Sequence, residues 1–218
     1  ATAIGVDAPC ILFNGARVVD ADLTTTLSSA SLPLAPARQI VGRVLAAGIH
    51  VVAYVGERLL VDVRSPRAAV PVGALARSSH DVVDLASLAA PPTKLLFVHE
   101  DARLDALRSQ LQTEAQRLLP AGAHLVRSGP RFLELLPDGV HKGHGLRTCA
   151  ARLGIDPAAI VAIGDDENDR EMLTTAGLGL AMGHAPAPVR AAARRIVGGA
   201  VRDDGEALAA ALDDIFDD

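Results

Sequence analysis

The chain has 218 residues, half of them hydrophobic, with a formal net charge of -5 and a pI near 5.8. That length supports one large domain or a core with an inserted second unit, and the acidic balance argues against nucleic acid as the main partner, because phosphate backbones select basic surfaces. Aromatics make up only 2% and tryptophan is absent, so the core must be filled by Ala, Val, Leu and Ile. Cys10 and Cys149 give neither a disulfide framework nor a Cys-x-x-Cys metal pair, and a reducing, cytoplasmic setting is expected. No basic leader opens the sequence and no apolar run approaches the roughly 20 residues of a spanning helix, so no membrane partner is expected. The first residue is not Met, and a strand-like run follows almost at once, as if the sequence entered a fold partway.

The elements read in order as follows. Residues 11–13 form a short strand and Asn14-Gly15 a turn pair. Residues 17–20 and 24–27 resemble two strands around a turn. Pro36 opens a helix whose Ala37, Ile40, Val41, Val44 and Leu45 share one face, and Gly48 closes it. Residues 49–54 and 59–63 pair as a hairpin around Gly56. Residues 66–92 mix prolines with small residues and read as irregular, with one short helix. A strand over 93–98 and a helix over 104–119 follow, the helix carrying Leu104, Leu107, Leu111, Ala115 and Leu118 on its apolar face. Residues 124–127 and 132–136 are two further strands. This mixture, with its hairpins, predicts an α+β unit.

After Pro137 the rhythm becomes strict alternation. A helix over 143–153 turns Leu146, Cys149, Ala150 and Leu153 inward and ends at Gly154. A strand over 160–163, a helix over 169–175, a strand over 179–182, a helix over 188–194, a short strand at Ile196-Val197 and a helix over 206–215 complete a partial doubly wound parallel pattern. Within it, Val161-Ala162-Ile163-Gly164-Asp165-Asp166-Glu167-Asn168-Asp169 is the stretch richest in chemistry. Ligands of open α/β sheets bind beyond the carboxyl ends of the strands, so carboxylates here are placed for a metal or a phosphate. The alternative is a solvated acidic turn that opens a helix.

Three motifs in order carry a resemblance: Gly139-Val140-His141-Lys142-Gly143, then residues 161–169, then Ala176-Gly177-Leu178-Gly179-Leu180-Ala181-Met182-Gly183. Together they resemble the C-terminal half of a haloacid dehalogenase-like (HAD) phosphatase. They are most similar to the Cof-type subclass, which acts on sugar phosphates and cofactor precursors. Phe13-Asn14-Gly15-Ala16, residues 127–130 and Phe132-Leu133-Glu134 are similar to that subclass at the borders of its inserted cap. The resemblance implies an α/β fold with a doubly wound parallel-sheet core, incomplete at its N-terminus, over residues 1–16 and 139–218. Residues 17–138 would be an α+β cap. It also implies Mg²⁺-dependent hydrolysis of a small phosphorylated metabolite through an aspartyl-phosphate.

Carried over residue by residue, Asp165 corresponds to the metal-binding acid, and Asn168 and Asp169 complete the shell around metal and phosphate. Asn14, Gly15 and Asn168 fall at substrate-binding positions. Lys142 corresponds to the lysine that neutralises phosphate and nucleophile, a role suited to a compact point charge in a chain with one other lysine, Lys94. The pattern departs in two places. His184 stands where the family usually shows Asn, and the Asp-x-Asp-Gly-Thr motif that supplies the nucleophile does not occur. Asp20-Ala21-Asp22 imitates that motif, but Leu23 replaces its glycine and a hairpin turn is the expected use. His141 and His144, three apart, imitate a metal pair without further ligands at zinc spacing. Arg58, Arg64 and Arg67 are candidates for contact with phosphate or sugar, against the alternative of solvated surface. As given, the chain is expected to be inactive, to be a non-catalytic phosphate-binding relative, or to self-associate through an incomplete sheet.

Overall fold

The computed structural model describes residues 7–64, 80–118, 122–200 and 205–216. Arg67 lies outside these residues. The chain divides into two compact units, one made of Ala1–Leu27 with His141–Asp218 and the other of Ser28–Val140. Residues 17–27, which the sequence reading places with the inserted segment, thus fall in the first unit.

Strand β1 (Cys10–Leu12) pairs antiparallel with β2 (Arg17–Val19), and β3 (Thr26–Ser29) completes a three-stranded sheet in the order β1-β2-β3. The third strand begins two residues later than the sequence predicts, because Asp22 holds the turn open by accepting from Thr24 N and Thr25 N, each at 2.8 Å.

In the second unit, α1 (Leu34–Ala46) buries Ala37, Ile40, Val41 and Val44, the face the spacing predicts. It starts two residues before Pro36, which is tolerated because N–H groups of the first turn have no intrahelical partner to lose. Strands β4 (His50–Val55) and β5 (Arg58–Asp62) form the predicted hairpin. Within residues 66–92, expected to be irregular, lies a strand: β6 (Asp81–Val83) pairs parallel with β5. Three residues, two of them exposed, leave no alternation to read. Strand β7 (Lys94–Val98), inside the sheet, is buried along its whole length. After α2 (Asp101–Leu118), β8 (Ala123–Arg127) and β9 (Phe132–Pro137) complete a six-stranded mixed sheet in the order β6-β5-β4-β7-β9-β8. Ile40, Val44, Phe97, Leu104, Leu111 and Leu133 belong to one core cluster, so α1 and α2 seal one face of this sheet.

The first unit resumes with α3 (Lys142–Leu153), β10 (Val161–Gly164), α4 (Arg170–Thr175), β11 (Leu178–Met182), α5 (Ala187–Ala192), β12 (Arg195–Val197) and α6 (Gly205–Phe216). Strands β10, β11 and β12 pair parallel in that order. The fold is therefore α/β with a parallel sheet, as the alternating rhythm predicts. Leu146, Leu173, Ala181 and Val189 pack between sheet and helices. Leu153, expected inward, is 47% exposed and sits at the end of α3. No helix among the described residues is long and apolar enough to cross a membrane.

Candidate active site

The parallel register of β10 and β11 brings their carboxyl ends to the same edge of the sheet, and the residues just beyond them meet there. Asp165 follows β10, and His184 follows β11 by two residues. His184 Nε2 lies 3.2 Å from Asp165 Oδ2, with the Asp165 side chain 39% exposed and the His184 side chain 11%.

Asp169 organises the loop after β10. Its Oδ2 accepts from Asp165 N at 3.0 Å and Asp166 N at 3.1 Å, and with Asp166 it forms a reciprocal capping box. Its Oδ1 accepts from Lys142 Nζ at 2.5 Å, with the Asp169 side chain 5% exposed. Lys142 is the first residue of α3, where the helix dipole disfavours a cation. The buried carboxylate opposite it offsets that cost. The preceding residue caps the helix, since His141 Nδ1 accepts from His144 N at 3.1 Å, so His141 and His144 serve the helix start. Gly143 is required by close approach: a Cβ there would run into the Glu171 carbonyl and Thr175 Oγ1 of α4.

The third side of the site comes from the turn after β1. Phe13, Asn14 and Gly15 all have positive φ, 51°, 56° and 93°. A bulky residue such as Phe13 rarely adopts this conformation, and such outliers cluster at functional sites. Gly15 has no alternative, because a Cβ would meet the His141 carbonyl. The turn is tied to the acidic loop by Asn168 Nδ2, which donates to Asn14 Oδ1 at 3.0 Å. Asn168 Oδ1 is buried with no hydrogen-bond partner.

Asn14, Lys142, Asp165, Asp169 and His184 line one cleft of about 800 Å³, whose remaining wall is apolar, including Ile163, Met172 and Met182. The fold thus brings Asn14, Lys142, Asp165 and Asp169 to one lining, with Gly15 and Asn168 adjoining it in the chain. The other candidates have partners of their own. Asp20 pairs with Arg152 at 2.8 Å, and Asp22 serves its turn, whose hydrogen bonds from Thr25 and Thr24 hold its carboxyl well below the usual range. Arg58 pairs with Asp81, and Arg64 with Asp62 and Asp84. Cys10 and Cys149 are free thiols. Burial, with a smaller effect of Cys10, pushes the Cys149 thiol up, away from nucleophilic character. Two contacts escaped the sequence reading. The His184 to Asp165 contact joins residues 19 apart, and the Asn168 to Asn14 bond spans 154; neither separation leaves a local signal.

Asp165 offers hard carboxylate oxygen at the cleft, and Asn168 a buried amide oxygen with no partner. Such donors fit Mg²⁺, which takes oxygen ligands and keeps several waters. Among the described residues no three His, Cys, Asp or Glu side chains converge as a metal site.

The protein is thus an α/β protein with a parallel sheet and with lysine and carboxylates gathered at the carboxyl edge of that sheet. The family model for haloacid dehalogenase-like hydrolases matches residues 1–209, and the chain belongs to that family. It is 43% identical over 108 residues to the HMP-PP phosphatase of Cronobacter sakazakii, an alignment covering 49% of this chain and 38% of that protein. The chain thus matches well under half the length of this curated relative. Among solved structures, it is similar in fold to the HAD subclass IIB sugar phosphatase BT4131, with a TM-score of 0.79 and 19% identity over 96% of this chain and 76% of that one. A haloacid dehalogenase-like hydrolase from Bacteroides thetaiotaomicron gives a TM-score of 0.72 and 25% identity over 94% of this chain and 75% of that one.

Proposed function

We propose that the protein to which these residues belong is a Mg²⁺-dependent phosphatase acting on a small phosphorylated metabolite, a sugar phosphate or cofactor precursor. In this reading the Ser28–Val140 unit is the cap that chooses the substrate. The single observation that carries it is the Lys142–Asp169 pair at 2.5 Å beside Asp165 in one cleft. Lys142 would neutralise phosphoryl oxygens as charge shifts in the transition state. Asp169 would hold both that ammonium and the backbone of Asp165. Asp165 and Asn168 would hold the cation, which supplies charge neutralisation at the phosphoryl group. Asn14 and Gly15 would shape the rim on which the substrate rests. The HMP-PP phosphatase and sugar phosphatase relatives support this substrate class.

Residues 1–218 contain no Asp-x-Asp-Gly-Thr, so within them we expect binding without turnover, since a covalent mechanism needs its nucleophile. A second reading is a non-catalytic phosphate-binding module. The test is hydrolysis of p-nitrophenyl phosphate, with Mg²⁺ and with EDTA, beside calorimetric titration of inorganic phosphate. Expected for the 218 residues are no turnover and phosphate binding that falls at least about tenfold in Lys142→Met, roughly 1.4 kcal/mol. Metal-dependent turnover would overturn the expectation of inactivity and place a nucleophile within the chain. Phosphate binding indifferent to Lys142→Met would overturn the role given to the lysine.

A further inference from the structure

Among the described residues His184 is the one imidazole that lines the cleft, and its two nitrogens have different surroundings. Nε2 lies 3.2 Å from Asp165 Oδ2, while Nδ1 is buried with no hydrogen-bond partner. Two roles fit a histidine so placed. It can ligate a cation beside Asp165, or it can hold Asp165 while the carboxylate alone meets the cation. The first role requires Nε2 to be unprotonated, which puts the ring proton on Nδ1. Metal-ligating histidines donate that proton to a carboxylate, a carbonyl or water. Here it would be a buried donor without an acceptor, the costlier kind of unsatisfied group. The second role puts the proton on Nε2, where Asp165 Oδ2 accepts it, and leaves Nδ1 only an idle lone pair.

We propose that His184 is a positioning residue. With a proton on Nε2 it donates to Asp165 Oδ2, turns the other carboxylate oxygen to the cleft, and so keeps the site all-oxygen and selective for a hard divalent cation. The proposal rests on the reading of Asp165 as the cation-holding acid. No other hydrogen bond among the described residues orients the Asp165 side chain, whose own backbone N–H is held by Asp169. A carboxylate 39% exposed and tethered only at its backbone would otherwise sample several rotamers. The imidazole removes that freedom before the cation arrives, which is the usual work of residues that hold a metal ligand in place.

The test uses the full 218-residue chain. Mg²⁺ affinity is measured by calorimetry for the wild type, His184→Gln, His184→Leu and Asp165→Asn, each checked for folding by circular dichroism. Nitrogen-15 NMR of the imidazole reads the tautomer, and the visible spectrum of added Co²⁺ reads nitrogen ligation. We expect His184→Leu to weaken Mg²⁺ binding about tenfold or more and His184→Gln, which keeps a donor, to recover most of it. Nε2 should carry the proton, and the Co²⁺ spectrum should be the same in wild type and His184→Gln. Mg²⁺ binding that survives His184→Leu, a proton on Nδ1, or a Co²⁺ spectrum that changes in His184→Gln would each overturn the role given to His184. Failure of the wild type to bind Mg²⁺ would overturn the reading of Asp165 itself, and this inference with it.

Discussion

The chain has two lysines, each 2.5 Å from a carboxylate, one in each unit. Lys94 on β7 meets Glu134 on β9, and both side chains are nearly buried, at 10% and 5% exposed. The pair is closed on every side: Ser128 Oγ donates to Glu134 Oε1 at 2.5 Å, and the ammonium lies 4.7 Å from the centre of the Tyr54 ring. Burial, with a contribution from the Glu134 charge, pushes the Tyr54 hydroxyl pKa well above its ordinary value. Lys142 and Asp169 differ in one respect: the lysine is 29% exposed and lines a cleft. The same chemical pair is sealed into a sheet in one unit and open at one end in the other. Distance alone therefore says nothing about role, and access decides it.

The largest effect should come from opening the sealed pair. Glu134→Leu leaves Lys94 buried without its partner and should cost about 3–5 kcal/mol in chemical denaturation. Replacing both partners, Lys94→Met with Glu134→Leu, should restore most of that loss, because a closed pair can be exchanged for apolar packing. The corresponding double change Lys142→Met with Asp169→Leu should not recover, since Asp169 also holds Asp165 N and Asp166 N. Equal recovery in both units would break the comparison.

A medium effect should come from Asp62, a second closed carboxylate of the Ser28–Val140 unit. It is fully buried and accepts from Arg64 Nε at 2.6 Å, Arg64 N at 2.9 Å and Leu85 N at 3.1 Å. Burial alone would raise its pKa, but these hydrogen bonds together outweigh it and lower it below 3.8. The folded state then binds fewer protons than the unfolded one. The stability Asp62 contributes is complete above pH 3.8 and lost as pH falls through the lowered folded value. Asp62→Asn should flatten acid unfolding followed by circular dichroism below about pH 4.

The smallest effect belongs to His50, whose ring stacks on His99 with centroids 6.4 Å apart. Burial, then His99 and Arg131, lowers its pKa below 6.5. Its contribution is full above pH 6.5 and is lost as pH falls below that value. His50→Phe should remove a step of less than about 1 kcal/mol from the stability profile between pH 7 and 5. A step that persists would place the titrating group elsewhere.

Legibility followed the range of the contacts. The faces of α1 and α2 were readable because a 3.6-residue spacing is local, and Ala37, Ile40, Leu104 and Leu107 are buried as that spacing requires. The alternation after Pro137 was readable for the same reason. Strand β6 was not, because three residues at a sheet edge carry no period and only their partner β5 makes them a strand. Leu153 was misplaced because helical phase says which way a side chain points, not whether another element covers it.

At the site, composition and order determined the ingredients: an acidic loop after an apolar strand, a lysine before a helix, an Asn-Gly turn. A carboxylate beyond a strand end is placed by the chain's own alternation, so the acidic stretch 165–169 stood out by itself, and the resemblance to the phosphatase family picked Asp165 and Asp169 from it. Tertiary structure decided the pairings, which of the two lysines faces a cleft, and that Asn14 reaches Asn168 across 154 residues. It also decided that His184 meets Asp165 with one nitrogen and has no hydrogen-bond partner at the other. Those outcomes depend on the register of parallel strands and on side-chain burial, which arise only when segments distant in sequence are packed together.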